Sequence, residues 1–318
     1  MRKIILALSL VSASLMASAQ TYPNQPIKLI IPFAAGGPSD VLARGFAPKL
    51  GDNLGQPIII ENKPGAGANL AAEYVANAKP DGYTLFLMMV GTQAINETLY
   101  KKLNYNLVKD FAPISLVGSS SLMFVATPSA PFKTIPELIA YAKANPGKVN
   151  FGSSGTGTPL HLGGELFNTQ AGTDILHVPY KGAAPALTDV LGGQIQTAIV
   201  GTPAALPYVK SGKLTALGVT SLKRSPNAPE IPAVSETIPK FEVELVYAIV
   251  APAETPKAIV DKLNAQLISV LNNPEIKSQL NSRGFEVVTS TPNQLGEYIK
   301  SEVTKWGPIV KKSGASAE

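Results

Sequence analysis

Three short, almost continuous apolar runs constrain the fold of this chain more than any other feature. They cover residues 27–31, 58–60 and 85–90, and Pro and Gly residues bound them. Runs of this length without alternation are typical of strands buried on both faces. A loop containing Gly leads from each of the first two runs into residues with helical spacing. This strand–helix–strand order predicts a parallel sheet with right-handed crossovers, and hence an α/β protein.

A second α/β region follows the first. Its strands are predicted at residues 122–126, 149–152, 175–179, 197–200 and 214–219, and its helices at 136–143, 158–167 and 185–191. Thr158 is the expected N-cap of the middle helix, with Pro159 at the first helical position. A chain of 318 residues with two such regions is expected to form about two domains.

The C-terminal part continues the α/β pattern. A connector with four prolines, residues 225–239, leads to a strand at 241–250. Helices are predicted to open at Thr255 and Thr291, each a capping residue followed by proline. The last helix carries an apolar face formed by Leu295, Ile299, Val303 and Trp306. The single tryptophan is therefore predicted to be a core residue.

The N-terminus has the pattern of an export signal. Arg2 and Lys3 precede a mostly apolar stretch, residues 4–16, and residues 17–19 form an A-x-A cleavage site. The apolar stretch is too short to span a bilayer. Cleavage is expected after Ala19, which would leave a soluble, exported protein.

Composition excludes several classes of protein. The chain has no cysteine, which rules out a disulfide framework, a Cys-ligated metal site and a Cys nucleophile. Its 45% hydrophobic and 15% charged residues are typical of a globular protein. Loss of the two basic residues of the export signal would lower the formal net charge of +5 by two, and this mild basicity does not suggest a nucleic-acid partner.

The loop after the first strand, residues 32–40, is a candidate anion site. Its Gly residues let the backbone approach a ligand, and the following helix directs free N–H groups and a positive dipole end toward the loop. The alternative is an ordinary strand-to-helix turn capped by Ser39 or Asp40. Phe33 is a candidate wall residue for a ligand or, equally, a core residue.

The loop at residues 152–159 has the same character and carries four hydroxyl groups, so it is the richest candidate cradle for a carboxylate. The alternative is a solvated turn in which Thr158 only caps a helix. The loop is not a P-loop, because Thr158 stands where lysine is required, and it has no nucleophile elbow. Residues 65–67 lack the third Gly of the dinucleotide fingerprint, so no cofactor is expected.

A third strand-to-helix loop covers residues 180–185. Lys181 is either a carboxylate-attracting cation or solvated surface. His161 and His177 are the only histidines, and no acidic motif accompanies them, so neither a metal site nor a catalytic triad is expected. His161 is predicted to donate to a ligand or to bond locally. Gly-containing loops in two α/β regions predict a cleft that holds a small anion.

Several motifs resemble those of the tripartite tricarboxylate transporter substrate-binding family, also called Bug receptors. The motifs recur in order at residues 32–40, 62–67, 80–85, 155–157, 161–162 with 165–167, and 178–182. The resemblance covers nearly the whole mature chain. It implies a periplasmic binding protein, not an enzyme, whose two α/β domains close around a ligand like a flytrap.

The resemblance also implies a ligand, a partner and a site. Members bind dicarboxylates, tricarboxylates, acidic amino acids or aromatic acids and deliver them to integral membrane transporter subunits. The candidate ligand-binding residues are Phe33, Ala34, Ala35, Gly37, Ser39, Asp40, Thr92, Ser153, Ser154, Thr156, Thr158, His161, Lys181, Gly182 and Ala183. An exported hydrolase, or a receptor that presents its ligand to a membrane sensor, are the alternative functions.

The chain departs from the family pattern at a few positions. Gln196 stands where many members have Asp, and residues 246–247 replace a frequent Trp, which affects the chemistry of the site walls. Pro48 predicts a kinked or shortened first helix. The expected domains are residues 20–120 with 222–318, and residues 121–221, so that the chain crosses twice and forms a hinge.

Overall fold

A computed structural model describes residues 22–180, 182–226 and 228–317. The predicted signal peptide and Lys181 lie outside the described residues. Within these ranges no helix combines the length and the apolar character that a membrane crossing requires.

Strands and helices alternate through most of the chain. The strands are β1 (Ile27–Ile31), β2 (Ile58–Asn62), β3 (Thr84–Met89), β4 (Phe111–Ala126), β5 (Asn150–Ser153), β6 (Leu176–Pro179), β7 (Thr197–Gly201), β8 (Thr215–Val219) and β9 (Glu244–Pro252). The helices are α1 (Pro38–Leu54), α2 (Asn69–Ala76), α3 (Val90–Leu99), α4 (Ile135–Ala144), α5 (Pro159–Ala171), α6 (Ala183–Leu191), α7 (Thr202–Lys210), α8 (Lys257–Leu271), α9 (Pro274–Ser282) and α10 (Pro292–Ser313). Short 3-10 turns lie at Ala66–Ala68 and Val234–Glu236.

The strands form one mixed sheet in the order β2-β1-β3-β9-β4-β7-β5-β6, and β8 also pairs with β4. The pairs of β1 with β2 and β3 are parallel, as are those of β5 with β6 and β7. The predicted strand–helix–strand units are therefore confirmed. Strand β9 inserts between β3 and β4 and is antiparallel to both.

Strand β4 joins the two halves of the sheet. Its first part, through Ser121, pairs with β9, and its second part, from Leu122, pairs with β7 and β8. Met89, at the carboxyl end of β3, pairs with Tyr247 of β9, and Tyr247 pairs in turn with Gly118 of β4. Leu122 of β4 pairs with Gly201, at the carboxyl end of β7. The carboxyl ends of the parallel strands in the two halves therefore face each other, about 13 Å apart along β4 at roughly 3.3 Å per residue.

The apolar runs of β1 and β3 are buried on both faces of the sheet, as predicted, whereas the run in the edge strand β2 is only partly buried, and Ile59 is 46% exposed. Along β3, Phe86 and Met88 belong to one hydrophobic cluster, and Leu85 and Leu87 belong to another on the opposite face. The predicted core position of Trp306 is confirmed, since the side chain is 1% exposed. Its Nε1 atom donates a 2.8 Å hydrogen bond to a buried Glu302 carboxylate oxygen, which satisfies the indole N–H.

Several predicted boundaries are wrong. Val90 begins α3 instead of ending β3, because apolar character reports burial and not backbone conformation. Strand β4 begins at Phe111, eleven residues before the predicted start, in a segment whose Pro113 and serines weaken the strand pattern. Pairing with β9 holds this segment extended, and the register shifts beside Pro113.

One prediction about a proline neighbour is wrong, and another is wrong in one of its two alternatives. Of the kinked or shortened helix predicted from Pro48, the shortening is wrong, because α1 continues through Pro48 to Leu54. Both Pro48 and Arg44, whose carbonyl loses its helical donor, are exposed to water. Thr255 does not cap α8, because the N-cap is Pro256 and the Thr255 hydroxyl donates to the Pro252 carbonyl. The predicted caps at Thr158 and Thr291 are confirmed.

Candidate functional site

The loops singled out in the sequence lie at the facing strand ends. Helices α1 and α3 begin after β1 and β3, and helices α5, α6 and α7 begin after β5, β6 and β7. Helices α1, α3, α6 and α7 begin without a hydrogen bond from a capping side chain. Their first-turn N–H groups and positive dipole ends are therefore available to an anion at the facing edges.

We define the first loop as residues 32–37, between β1 and α1. Asp40, 3% exposed, accepts hydrogen bonds from the Gly36 N–H at 2.9 Å, from Arg44 Nε at 2.8 Å and from Asn62 Nδ2 at 3.1 Å. The hydrogen bond from Arg44 is the largest cause that lowers the pKa of Asp40 to about 2. The Asp40 carboxylate is thus ionised and engaged within the protein, so the structure assigns it to the shape of this loop.

The tip of the first loop is open to solvent. Ala34 and Ala35 are exposed, and Gly37 is the N-cap of α1. Phe33 is half-buried against the core, and its carbonyl accepts a 2.9 Å hydrogen bond from Asn62. The first loop therefore combines a fixed base with exposed backbone at its tip.

We define the second loop as residues 153–158, at the end of β5. The Ser154 hydroxyl donates to Thr158 Oγ1 at 3.1 Å, and Thr158 Oγ1 donates to the Gly155 carbonyl at 2.7 Å. Ser153 is fully buried, and its Oγ accepts a 3.1 Å hydrogen bond from the Gly155 N–H. Thr156 is exposed, and neither its N–H nor its hydroxyl has a partner among the described residues. Of the four hydroxyls in the second loop, Thr156 presents the free one.

The two histidines meet behind the second loop. Their rings stack with centroids 3.9 Å apart and planes inclined by 25°. His177 Nε2 lies 2.6 Å from Ser153 Oγ, and the Gly157 N–H donates to His161 Nδ1 at 3.0 Å. The sequence predicts that His161 either donates to a ligand or bonds locally, and the structure shows a local bond; for His177 the sequence predicts no role. Their meeting depends on the packing of α5 over β6, for which the sequence offers no local signal.

Both histidines are neutral at neutral pH. Burial lowers the pKa of His161 to about 4, and burial together with the neighbouring His161 lowers the pKa of His177 to about 4. Glu165 Oε1 lies 3.7 Å from His161 Nε2, which is too long for a hydrogen bond. Since burial also raises the pKa of Glu165, this contact is not a stable ion pair.

The third loop covers residues 180–182, and its described residues, Tyr180 and Gly182, lie against the second loop. The Tyr180 N–H donates to the Ser153 carbonyl, and the Gly182 N–H donates to the Ser154 carbonyl, both at 3.2 Å. Ala183 then begins α6 without a side-chain cap. The two loops that the sequence predicts for the second half of the site are therefore brought together by the pairing of β5 with β6.

Three further polar side chains near the facing edges lack partners in the described part of the chain. Thr92, in the first turn of α3, has a buried hydroxyl oxygen without a hydrogen bond. Tyr247, opposite Met89 in the sheet, has a fully buried hydroxyl without one. Ser39, in the first turn of α1, is 1% exposed and makes no side-chain hydrogen bond. The sequence predicts Ser39 and Thr92 as site residues but not Tyr247. The only signal at Tyr247 is that residues 246–247 replace a Trp that is frequent in the family.

The two halves touch at the second loop. A Cβ atom on Gly157 would lie 2.6 Å from the Leu99 side chain at the end of α3, so glycine permits this contact. On the outer faces of the protein, two surface grooves of about 730 and 850 Å³ contain no predicted site residue. No group of three or more His, Asp or Glu side chains among the described residues is placed to hold a metal ion.

The chain is similar in sequence and in fold to known proteins. Residues 42–315 match the model of the tripartite tricarboxylate transporter family receptor. Protein BugT of Bordetella pertussis is 36% identical over 94% of this chain and 92% of its own. A solved R. palustris protein with adipate, Rpa4515, is 32% identical, with a TM-score of 0.80 over 93% of this chain and 99% of that chain.

A second solved structure, MatC from Rhodopseudomonas palustris with bound malate, is 32% identical, with a TM-score of 0.76 over 91% of this chain and 100% of that chain. The fold is the two-domain α/β fold of the periplasmic binding proteins of this family. The family consists of substrate-binding receptors and not of enzymes. By the extent of the family match and the shared fold, the chain belongs to the tripartite tricarboxylate transporter receptor family.

Proposed function

We propose that this receptor captures a small carboxylated molecule between its two halves and delivers it to a membrane transporter of the tripartite tricarboxylate type. The observation that carries the proposal is the set of uncapped helix N-termini at the facing strand ends, together with loop N–H and hydroxyl groups that have no partner among the described residues. Such groups bind anions through dipoles and hydrogen bonds.

The residues divide into two roles. The groups proposed to contact the ligand are the N–H groups of Ala34, Ala35 and Ala183, the walls at Phe33, Gly37 and Gly182, and the hydroxyls of Ser39, Thr92 and Thr156. The groups proposed to hold the loops are Asp40, Ser153, Ser154, Thr158 and His161, because their polar atoms are engaged within the protein. Lys181 keeps its proposed role as a nearby cation.

A dicarboxylate is the ligand class that the related proteins support best. Relatives of 32% identity carry adipate and malate, each with two carboxylates. Two facing edges, each with helix N-termini, suit a molecule that is anionic at both ends. Tricarboxylates, acidic amino acids and aromatic acids remain in the panel to be tested.

Closure of the two halves completes the proposed function. We assign residues 20–120 with 222–318 to one domain and 121–221 to the other, so that β4 is one of two crossing segments. A ligand that contacts both edges favours the closed form by its differential affinity for that form. Small-angle scattering should show compaction with a saturating ligand, and unchanged dimensions would contradict closure.

Export and delivery belong to the same proposal. Cleavage after Ala19 would release the protein into the periplasm, where transporter subunits in the inner membrane could recognise the closed form. A membrane sensor could read the same surface. Co-purification experiments distinguish the two partners. The tagged, ligand-loaded receptor is tested for binding to the transporter and, in parallel, to a sensor histidine kinase.

A thermal-shift panel tests the ligand class. The mature protein is unfolded and refolded to remove carried-over ligand, and it is then scanned with malate, adipate, citrate, glutamate, benzoate, glucose and phosphate. A ligand at about 100 times its Kd adds about 2.7 kcal/mol of stability, which raises Tm by several degrees. A selective shift with one carboxylate class is the expected result. Stabilisation by glucose or phosphate alone would overturn the proposal.

A further inference from the structure

We propose that His161 and His177 are positioning residues, which hold the second loop so that Thr156 faces the ligand, without touching the ligand themselves. This inference rests on the proposed function of the same site. It follows from the way the two rings contact the residues on either side of Thr156.

Hydrogen bonds hold the two residues that flank Thr156 in the second loop. The Gly155 N–H donates backward to Ser153 Oγ at 3.1 Å, and the Gly157 N–H donates forward to His161 Nδ1 at 3.0 Å. The N–H and hydroxyl of Thr156 between them have no partner among the described residues. The loop is thus fixed before and after Thr156, whose own donors are free among the described residues.

His161 must carry its proton on Nε2. Nδ1 accepts the hydrogen bond from the Gly157 N–H, and an acceptor nitrogen cannot be protonated. Gly157 is buried against Leu99, so water has little access to replace this bond. The ring of His161 therefore supplies the acceptor on which the conformation of Gly157 depends.

His177 holds the other end of the loop through Ser153. Ser153 Oγ lies 2.6 Å from His177 Nε2 and 3.3 Å from the Gly155 carbonyl, and it accepts the Gly155 N–H. All its hydrogen-bonding capacity is used inside the protein, and the residue is fully buried. Ser153 consequently acts on the ligand through the loop and not by direct contact.

Packing prevents the rings from turning away. The His177 ring lies between His161, at 3.9 Å, and Phe151, at 5.1 Å. A Cβ atom on Gly164 would lie 2.2 Å from Phe151, so the glycine lets α5 approach β5 closely enough to bring His161 onto His177. The column of three rings is built into the fold and needs no ligand to form.

The test replaces each ring by a matched pair of side chains. His161→Asn places an amide oxygen near Nδ1, and His177→Gln places an amide near Nε2, whereas His161→Leu and His177→Leu keep bulk without polarity. Affinity is measured by calorimetry with the carboxylate that gives the largest shift in the panel. The Leu variants should bind at least about tenfold more weakly, and the amide variants within about threefold of the wild type.

A double-mutant cycle links the rings to Thr156. If the rings act through the loop, His161→Leu should reduce affinity much less in a Thr156→Ala background than alone. Additive losses would overturn the positioning role. So would Leu variants with wild-type affinity, or amide variants as weak as the Leu variants.

A measurement on the unmodified protein keeps the inference testable if the Leu variants do not fold. Imidazole ¹⁵N NMR at pH 7 should show neutral His161 with its proton on Nε2, and hydrogen exchange should show a protected Gly157 amide. A proton on Nδ1 of His161, or rapid exchange at Gly157, would overturn the inference. If the wild type binds no carboxylate while both NMR results hold, the proposed function fails but the arrangement of the loop stands.

Discussion

The carboxylate of Asp40 accepts a 2.9 Å hydrogen bond from the backbone N–H of Gly36, so a buried side chain in the first turn of α1 sets the shape of the loop that precedes that helix. Arg44, one turn later, neutralises the same carboxylate. A negative charge can therefore lie beside a proposed anion site because its field is largely compensated.

Removing the charge of Asp40 should loosen the first loop. Asp40→Asn keeps an oxygen but loses the ion pair with Arg44, and urea denaturation at pH 7 should show a loss of about 1–3 kcal/mol, as for a buried charge-assisted hydrogen bond. Asp261→Asn removes the carboxylate of an exposed pair with Lys257 and should cost less than about 1 kcal/mol. Equal losses in both variants would contradict the role of Asp40.

The Thr156 hydroxyl should contribute directly to affinity. Thr156→Ala is expected to weaken carboxylate binding by about 1.5–3 kcal/mol, since the lost hydrogen bond reaches a charged group, with little change in Tm. Thr156→Ser keeps the hydroxyl and should bind almost as well as the wild type. Calorimetric titration of both variants decides this, and an unchanged Kd for Thr156→Ala would remove its hydroxyl from the site.

Ser153→Ala should weaken binding by an indirect route. The substitution removes the acceptor of the Gly155 N–H and leaves His177 Nε2 without its serine partner. We expect a loss of about 0.5–3 kcal/mol in binding without global unfolding, together with faster amide exchange at Gly155. Lost affinity with unchanged exchange at Gly155 would instead indicate direct contact with the ligand.

Stability should fall in mild acid because of the histidine pair. The folded pKa values of about 4 lie below the ordinary value near 6.5, so the unfolded chain binds more protons between these limits. The contribution of the neutral histidine pair to the free energy of unfolding is complete above pH 6.5 and is lost as the pH falls toward 4. Glu165, which faces His161, has a raised pKa and opposes this slope. The urea midpoints measured at pH 7 and at pH 5 should differ less in the His161→Asn/His177→Gln variant than in the wild type.

Glu244 should have the opposite pH dependence. It pairs with Ser121 where β4 passes between the halves, and burial, followed by Glu242 and Glu286, raises its pKa to about 7. Its protonated form is favoured in the fold, so stability falls as the pH rises from about 4.5 through 7. Glu244→Gln should stabilise the protein by about 1–3 kcal/mol at pH 8 and little at pH 5. Glu254→Gln, at an exposed carboxylate, is the control.

The contact between Gly157 and Leu99 can be isolated by a matched pair of glycines. Gly157 and Gly147 have φ values of +77° and +71°, but a Cβ atom at Gly147 would meet nothing within 4 Å. Gly147→Ala should cost about 1 kcal/mol for backbone strain, and Gly157→Ala a further 1–3 kcal/mol or so for overpacking. Thermal unfolding measures both losses. Equal losses would show that the Leu99 side chain can move aside without lowering the free energy of unfolding.

Local patterns were sufficient for much of the fold. The apolar runs of β1 and β3 and the caps at Thr158 and Thr291 were predicted, because burial on both faces and helix initiation depend on residues close in sequence. The first part of β4 was missed, since its extended form depends on pairing with β9 more than 120 residues later.

The sequence by itself determined an α/β chain of the receptor family and the three loops on which the proposed site stands, because glycine, hydroxyl and capping residues follow the strands directly. Only the tertiary structure decided which polar groups in those loops are already engaged. Asp40 meets Asn62, Ser153 meets His177, and Gly157 meets Leu99 through sheet pairing and helix packing. Hydrogen bonds are satisfied by whichever group lies within about 3 Å, and neighbours at that distance are set by the fold and not by position along the chain.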